Sequence, residues 1–344
     1  MYKAIIRPLL FLLQPETVHH LIIYLLKIGF KLPGIAYLVR KYYTVSDKRL
    51  KTKFLGMTFD NPVGFAAGFD KNAEVYNQFS KFGFSFIEIG TVTPKPQPGN
   101  PKPRSFRIPK DKGLINRMGF NNKGVTYAVQ KLNEDKHKAI IGGNIGKNTA
   151  TPNDQALNDY EYCFKALYDS VDYFTVNLSC PNIKDLNKLQ DKNSTISILN
   201  KLTALRRSKN EYKPILLKIS PDLNNHQLDD VIETFNITGI DGIVATNTTV
   251  SRESLVTSKK RIDAIANGGL SGAPLKERAT EIIRYINEKS QGSIPIMGVG
   301  GIMTVQDALD KIEAGASLIQ VYTGFIYNGP GFVKQINKAI LKQN

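Results

Sequence analysis

The sequence predicts an α/β chain, a (β/α)8 TIM barrel preceded by a short N-terminal helical extension. Three observations point there. Eight short apolar runs recur after residue 53, each followed by a polar or Gly-containing loop and then an amphipathic stretch. The runs are apolar on both faces, as parallel strands covered by helices must be. Their spread over about 290 residues suits one large barrel, with a doubly wound sheet as the other arrangement the pattern allows.

In chain order, Pro8 and Pro15 punctuate helices at about 3–13 and 16–31, and Pro33-Gly34 precedes a third at 35–43. Residues 44–53 are charged and read as a linker, so the chain divides into an extension, 1–43, and a barrel, 44–344. Segment 54–62 reads as a small hairpin at the barrel floor. The strands follow at Val63–Ala66, Ser85–Ile89, Ala139–Ile145, Tyr173–Leu178, Ile215–Ile219, Gly242–Ala245, Ile294–Gly298 and Leu318–Val321. Helical periodicity fits Asn72–Phe82, Asp154–Tyr168, Ser194–Arg207, Leu228–Phe235, Glu277–Glu288, Val305–Ala314 and Phe332–Leu341.

Charge and cysteine content narrow the function. The net charge is +16, and residues 1–53 hold ten Lys or Arg against two acids, a surplus of +8. The same segment carries the most apolar run, Leu21–Leu26, which Lys27 interrupts well short of the roughly 18 residues a membrane span needs. It has no small-residue cleavage site, which argues against a signal peptide. Basic plus apolar at this length suits either a helical hairpin lying in a membrane interface or a core-packing helix pair with solvated lysines. The basic residues lack interleaved stacking aromatics and no nucleic-acid motif is present, so no nucleic-acid partner is expected. Two cysteines, Cys163 and Cys180, and four scattered histidines make neither a disulfide framework nor a metal site, so no metal is expected.

A barrel of this kind places its chemistry in the loops after the strand carboxyl ends. Those positions hold Ala67-Gly68-Phe69-Asp70-Lys71, Gly90-Thr91, Asn144, Asn177–Asn182, Lys218, Thr246-Asn247-Thr248, Gly300-Gly301 and Tyr322-Thr323. Glycines Gly268, Gly269, Gly272, Gly300, Gly301 and Gly324 gather near the last two strands, where backbone N–H groups can meet a phosphate. Two nucleotide motifs fail. Met303 stands where a dinucleotide fingerprint needs Gly, and Ile141–Asn148 lacks the first Gly and final Ser/Thr of a phosphate-binding P-loop.

Lys218 lies inside the apolar run Ile215–Ile219, where an inward ammonium calls for an anion; a strand-end lysine reaching solvent is the plainer alternative. Cys180, before Pro181 in a polar loop, is a candidate base, whereas Cys163 sits among Tyr162, Phe164 and Leu167 as a core residue. Asn116, Asn144, Asn177, Asn182 and Asn247 at mouth positions suit a flat polar ligand with several carbonyl and N–H groups.

In order along the chain, Pro15-Glu16 with His19, Ile89–Asn100, Pro103–Arg107, Asn116–Asn122, Asn177–Asn182, Ala245–Thr249, Gly268–Gly272, Gly298–Gly301 and Tyr322–Gly324 resemble the dihydroorotate dehydrogenase family, in its membrane-associated, quinone-using class. The resemblance covers nearly the whole chain. It implies FMN held by Ala67, Gly68, Phe69, Asp70, Lys71, Thr91, Asn144, Asn177, Lys218, Thr246, Gly272, Gly301, Tyr322 and Thr323, with Lys218 offsetting charge on the reduced flavin. It implies substrate contacts from Lys71, Asn116, Arg117, Met118, Gly119, Phe120, Asn177, Asn182, Asn247 and Thr248, and Cys180 as the catalytic base. His19, Arg107 and Tyr322 would lie on a quinone path entered through the N-terminal helices.

The implied reaction is oxidation of (S)-dihydroorotate to orotate in pyrimidine biosynthesis, by a monomer peripheral to the cytoplasmic face of the cell membrane. The absence of a presequence before Met1 fits a bacterial protein. One position departs from the pattern. The quinone-using class usually has serine where this chain has Cys180, and cysteine there is usual in the soluble class. A soluble oxidase using fumarate or NAD, a uridine-reducing RNA-binding flavoprotein and a non-enzymatic membrane scaffold are the competing readings.

Overall fold

A computed structural model of the chain describes residues 1–134, 139–179, 191–253 and 255–343. Cys180 and Asn182 lie outside the described residues. Eight parallel strands close into a barrel in chain order: Val63–Phe65, Phe86–Val92, Ile140–Ile145, Tyr173–Asn177, Ile215–Ile219, Gly242–Ala245, Ile296–Val299 and Leu318–Val321. The last pairs back onto the first through Ile319–Val63 and Val321–Phe65, which closes the ring. All eight fall within or beside the runs read from the sequence, and nearly every strand residue is buried. The doubly wound alternative is thereby excluded.

The barrel floor is plugged by a hairpin, Thr52–Phe54 with Met57–Phe59. Its two-residue turn, Leu55-Gly56, has positive φ at both positions (51° and 79°), the twist that suits tightly joined antiparallel strands. Phe54 and Phe59 pack there against Phe86, Tyr173, Leu216, Val244, Met297 and Leu318 from the barrel interior.

Two helix boundaries differ from the sequence reading for local reasons. The helix expected at Asn72–Phe82 is only Tyr76–Ser80. The Asp70 carboxylate accepts the N–H groups of Glu74 (2.7 Å) and Val75 (2.8 Å), and Ala73 sits at φ 55°, so residues 71–75 wrap around Asp70 as a loop. The helix expected from Leu228 begins at Asn225, because Asn224 and Gln227 form a reciprocal capping box. Helices Val125–Glu134, Lys259–Ile265 and Thr323–Asn328 add to those read from periodicity.

A feature absent from the sequence reading crosses the barrel mouth. Strands Ser105–Ile108, Gly113–Asn116 and Gly269–Gly272 form an antiparallel sheet with Gly113–Asn116 in the middle. Ile108, Ile115, Ile265 and Leu270 give it a small core of its own. The sheet brings Asn116 and Gly272, far apart in the chain, to one wall.

The N-terminal segment runs as Tyr2–Leu12, bends by 118°, and continues as Pro15–Gly29; a further helix spans Ile35–Tyr43. Pro15 at the first helical position, Glu16 in the first turn and Lys27 in the last all match the helix polarity. Tyr2 Oη donates to the Ile326 carbonyl (2.7 Å), Arg7 to that of Tyr327 (3.1 Å), and Lys27 pairs with Glu74 (3.2 Å), so the segment is tied to the barrel. Its outer side exposes Leu9, Leu12, Leu13, Leu21, Tyr24, Leu25 and Ile28. No single helix among the described residues is long and apolar enough to cross a membrane.

Candidate active site

A cavity of about 450 Å³ runs from beneath the N-terminal helices, over the strand carboxyl ends, to the glycines after strands seven and eight. Three stretches of wall differ in chemistry.

The first lies under the Pro15–Gly29 helix. Val18, His19, Ile22 and Leu26 line the cavity at helical spacing, opposite Phe69, Phe79 and Phe82. His19 packs edge-on to Phe69 (4.6 Å), and burial, aided by the nearby Lys71 and His20 charges, holds its pKa well below 6.5, so the imidazole is neutral. Arg107 reaches the same stretch from the mouth sheet. It lies over the Phe11 ring (4.5 Å) and donates to the Leu13 carbonyl (2.6 Å). Tyr322 closes the inner end; burial pushes its phenol up to about 12.

The second stretch is polar and sits on the barrel rim. Asn177 donates to Thr91 Oγ1 (3.1 Å), and Asn247 donates to Asn177 Oδ1 (3.2 Å) and Ser179 Oγ (3.1 Å). The side chains of strands two, four and six are thus linked into one fixed arc. Lys218 projects from strand five into the cavity, buried, with its carbonyl accepting from Ser179 Oγ (3.0 Å). Lys71 donates to the Gly68 carbonyl (2.6 Å); burial, then the Arg104 charge, lower its pKa to about 8. Asn116, Met118, Gly119 and Phe120 form the facing wall. Gln97 holds that loop by donating to the Gly119 (3.0 Å) and Phe120 (3.2 Å) carbonyls.

The third stretch is a cradle of backbone. Gly272, Gly301 and Gly324 line it with Ser271 and Thr323, whose hydroxyls lie 2.8 Å apart. Gly301 sits at φ 74°, and a Cβ there would come within 2.2 Å of Lys276 Cα, at the start of helix Lys276–Lys289. Only glycine allows that approach.

Of the residues singled out from the sequence, Ala67, Gly68, Phe69, Lys71, Thr91, Asn177, Lys218, Thr246, Gly272, Gly301, Tyr322 and Thr323 meet on this cavity, as do Asn116, Met118–Phe120, Asn247, Thr248, His19 and Arg107. Three do not line it. Asp70 is turned into its own loop. Asn144 stands behind the rim, accepting from Thr91 Oγ1 (2.6 Å) and donating to Glu88 (2.8 Å). Arg117 points outward over the Phe106 ring and donates to the Pro103, Ile265 and Asn267 carbonyls. Cys163 is buried in the core with its thiol pKa raised by burial. Ser271, inside the Gly268–Gly272 motif but not named as a site residue, and Gln320, which no motif marked, also line the cavity.

Residues 49–343 match the family profile described as Dihydroorotate dehydrogenase. The chain belongs to the dihydroorotate dehydrogenase family. Among its relatives in that family, a protein of Christiangramia forsetii named dihydroorotate dehydrogenase (quinone) is 52% identical over 100% of this chain and 99% of that protein. One of Neisseria meningitidis, bearing the same name, is 43% identical over 98% of both. A solved dihydroorotate dehydrogenase structure from Eimeria tenella, in complex with ferulenol, superposes with a TM-score of 0.86 at 36% identity, covering 96% of this chain and 92% of that one.

Proposed function

We propose that this dihydroorotate dehydrogenase oxidises (S)-dihydroorotate to orotate with FMN as its cofactor and passes the electrons to a membrane quinone. One observation carries the reading: a single continuous cavity joins a polar rim, suited to a planar amide-rich anion, to an apolar passage opening beneath the N-terminal helices. The glycine cradle supports FMN, because it offers a phosphate a wall no side chain could occupy.

In this reading Gly272, Gly301 and Thr323 hold the phosphate, and Thr91, Asn177, Lys218 and Thr246 hold the rest of the cofactor. Bound FMN supplies the two-electron acceptor. Lys218, a fixed positive charge in a buried strand, favours the extra negative charge of the reduced cofactor. Asn116, Asn177, Asn182, Asn247 and Thr248 orient the substrate ring through its carbonyl and N–H edges. Lys71, cationic below about pH 8, faces the substrate carboxylate. Cys180 takes the proton from substrate C5, in place of the serine usual in the quinone-using class.

The passage past His19, Arg107 and Tyr322 admits the quinone. Residues 1–43 form the foot that rests on the membrane, their outward leucines in the lipid interface and their surplus of +8 facing anionic headgroups. The protein is then a monomer peripheral to the cytoplasmic face of the cell membrane, with residues 44–344 as the FMN-binding barrel.

The test is spectroscopic. Anaerobic dihydroorotate should bleach the flavin absorbance of the purified enzyme, and a ubiquinone or menaquinone analogue should restore it. Rapid restoration by fumarate or NAD instead would refute the quinone assignment. Cys180→Ala should retain flavin and lose most of the bleaching rate; near-normal bleaching removes Cys180 from the role of base.

A further inference from the structure

Within the cavity wall, a buried acceptor has no donor. Gln320 lies on strand eight with its side chain inside the barrel, 1% exposed, and lines the cavity. Its Nε2 donates to Glu88 Oε2 at 2.7 Å. Because a carboxylate only accepts, this bond fixes the amide with its nitrogen toward Glu88 and its oxygen away. Among the described residues, Gln320 Oε1 is buried and without a hydrogen-bond partner.

The surroundings do not supply one. Glu88 also accepts from Asn144, Tyr173 and Thr175 (2.8, 3.3 and 3.0 Å), so its oxygens are engaged as acceptors. The cross-strand neighbours of Gln320 are Val299, which is apolar and also lines the cavity, and Gly64, which has no side chain. A buried carbonyl left this way calls for a donor from whatever fills the space.

We propose that Gln320 is a further binding residue of this site. Its side-chain carbonyl, oriented by Glu88, accepts a hydrogen bond from a ribityl hydroxyl of bound FMN. The inference rests on the FMN reading above and adds the contact to its sugar chain. The position argues for the chain rather than the ring. The chain continues from Gln320 on strand eight through Tyr322 into Thr323 at the phosphate cradle, whereas Asn177, at the end of strand four, lies on the opposite side of the barrel and Asn247 follows strand six, two strands away. A cofactor joining those two places lays its polyol over the end of strand eight.

The experiment titrates flavin-depleted full-length protein with FMN, and separately with lumiflavin, which has the ring but no ribityl chain, following flavin fluorescence. Gln320→Met keeps length and removes the carbonyl. It should weaken FMN about tenfold, the worth of one buried hydrogen bond, and change lumiflavin affinity less than about twofold. If wild type binds no FMN, the cofactor reading itself falls. If wild type binds and Gln320→Met matches it within about twofold, the Gln320 contact alone is overturned, water being the partner. Equal losses for FMN and lumiflavin overturn the ribityl assignment. Should Gln320→Met fail to fold by circular dichroism, Glu88→Gln takes its place. Freeing the amide to rotate should then weaken FMN at least about threefold, and unchanged affinity overturns the proposal.

Discussion

Replacing Glu16 by Gln should separate the two halves of the catalytic cycle. The Glu16 carboxylate, on the N-terminal helix, accepts from both Nη2 (2.7 Å) and Nε (3.2 Å) of Arg104, with side-chain exposures of only 11% and 7%. Lys102 and His20 stand farther off at 3.6 and 3.8 Å. Arg104 is bound in turn to the loop proposed to contact the substrate: its Nη1 donates to the Pro98 and Asn100 carbonyls, and its own carbonyl accepts the Arg117 N–H (2.8 Å). The ion pair therefore joins the helix over the apolar passage to the cavity wall proposed to face the substrate. Removing one partner of such a pair costs about 3–5 kcal/mol, and Gln, which still accepts one bond, should fall near about 3. If that loss falls on docking of the helix, the docked fraction drops by a factor on the order of 100 relative to undocked.

The expected result is quinone reoxidation slowed at least about tenfold and a several-fold rise in the dihydroorotate KM, with FMN affinity unchanged. The two half-reactions are measured separately by anaerobic stopped-flow absorbance. Burial alone would raise the Glu16 pKa, but the Arg104 hydrogen bond and charge hold it below 4.5. Its contribution to docking is thus full above that value and fades as pH falls through the lowered one, a dependence the Gln variant should lack. Quinone reoxidation within about twofold of wild type would refute the role of this pair, since the docking loss predicted for it could not then have occurred.

Three further outcomes follow from the same geometry. Because the Lys71 pKa is lowered to about 8, its charge disappears as pH rises through that value, so dihydroorotate KM should climb above pH 8 in wild type. Lys71→Met should bind substrate poorly at every pH, and a flat wild-type profile to pH 9.5 would exclude the charge contact. Gly301→Ala forces a Cβ to 2.2 Å from Lys276 Cα at φ 74°; the purified protein should lose most of its flavin absorbance and about 2–4 kcal/mol of stability. Leu21→Glu with Leu25→Glu alters only the outward side of the N-terminal helix. It should abolish co-sedimentation with anionic liposomes while dihydroorotate still bleaches the flavin at the wild-type rate, and retained sedimentation would remove this face from the membrane.

The barrel was legible because each strand is covered on both sides and so reads as a run largely without charged or polar side chains, such as Val63–Ala66 or Gly242–Ala245. The mouth sheet was not. Its strands are four residues each, and its partners Gly113–Asn116 and Gly269–Gly272 are joined only by pairing over more than 150 positions, which no local period records. Thr91, Asn177, Lys218 and Thr246, read as strand-end positions, line the cavity because they sit at or near the carboxyl ends of the barrel strands. The outlook of Asp70, named at a strand end, and of Arg117, named by the family resemblance, left no local signal, because their directions are set by hydrogen bonds to a loop and to distant carbonyls. Gln320 carried a signal that was passed over: a lone amide inside Leu318-Ile319-Gln320-Val321 is as anomalous as Lys218 among leucines.

The N-terminal helices and the barrel are separable in sequence but not in chemistry. Val18, His19, Ile22 and Leu26 supply one side of the apolar passage, and Phe69, Phe79 and Phe82 supply the other. Neither side alone excludes water. Between them, His19 is neutral and Tyr322 stays protonated at physiological pH, so the passage presents little charge to a neutral quinone. The guanidinium that does enter, Arg107, is held by a ring and a carbonyl of the extension itself, Phe11 and Leu13. Lifting the helices would therefore hydrate the passage and release Arg107 together. The element proposed to meet the lipid would thus also set the dielectric of the cavity, tying access of a quinone to the environment in which the substrate is oxidised.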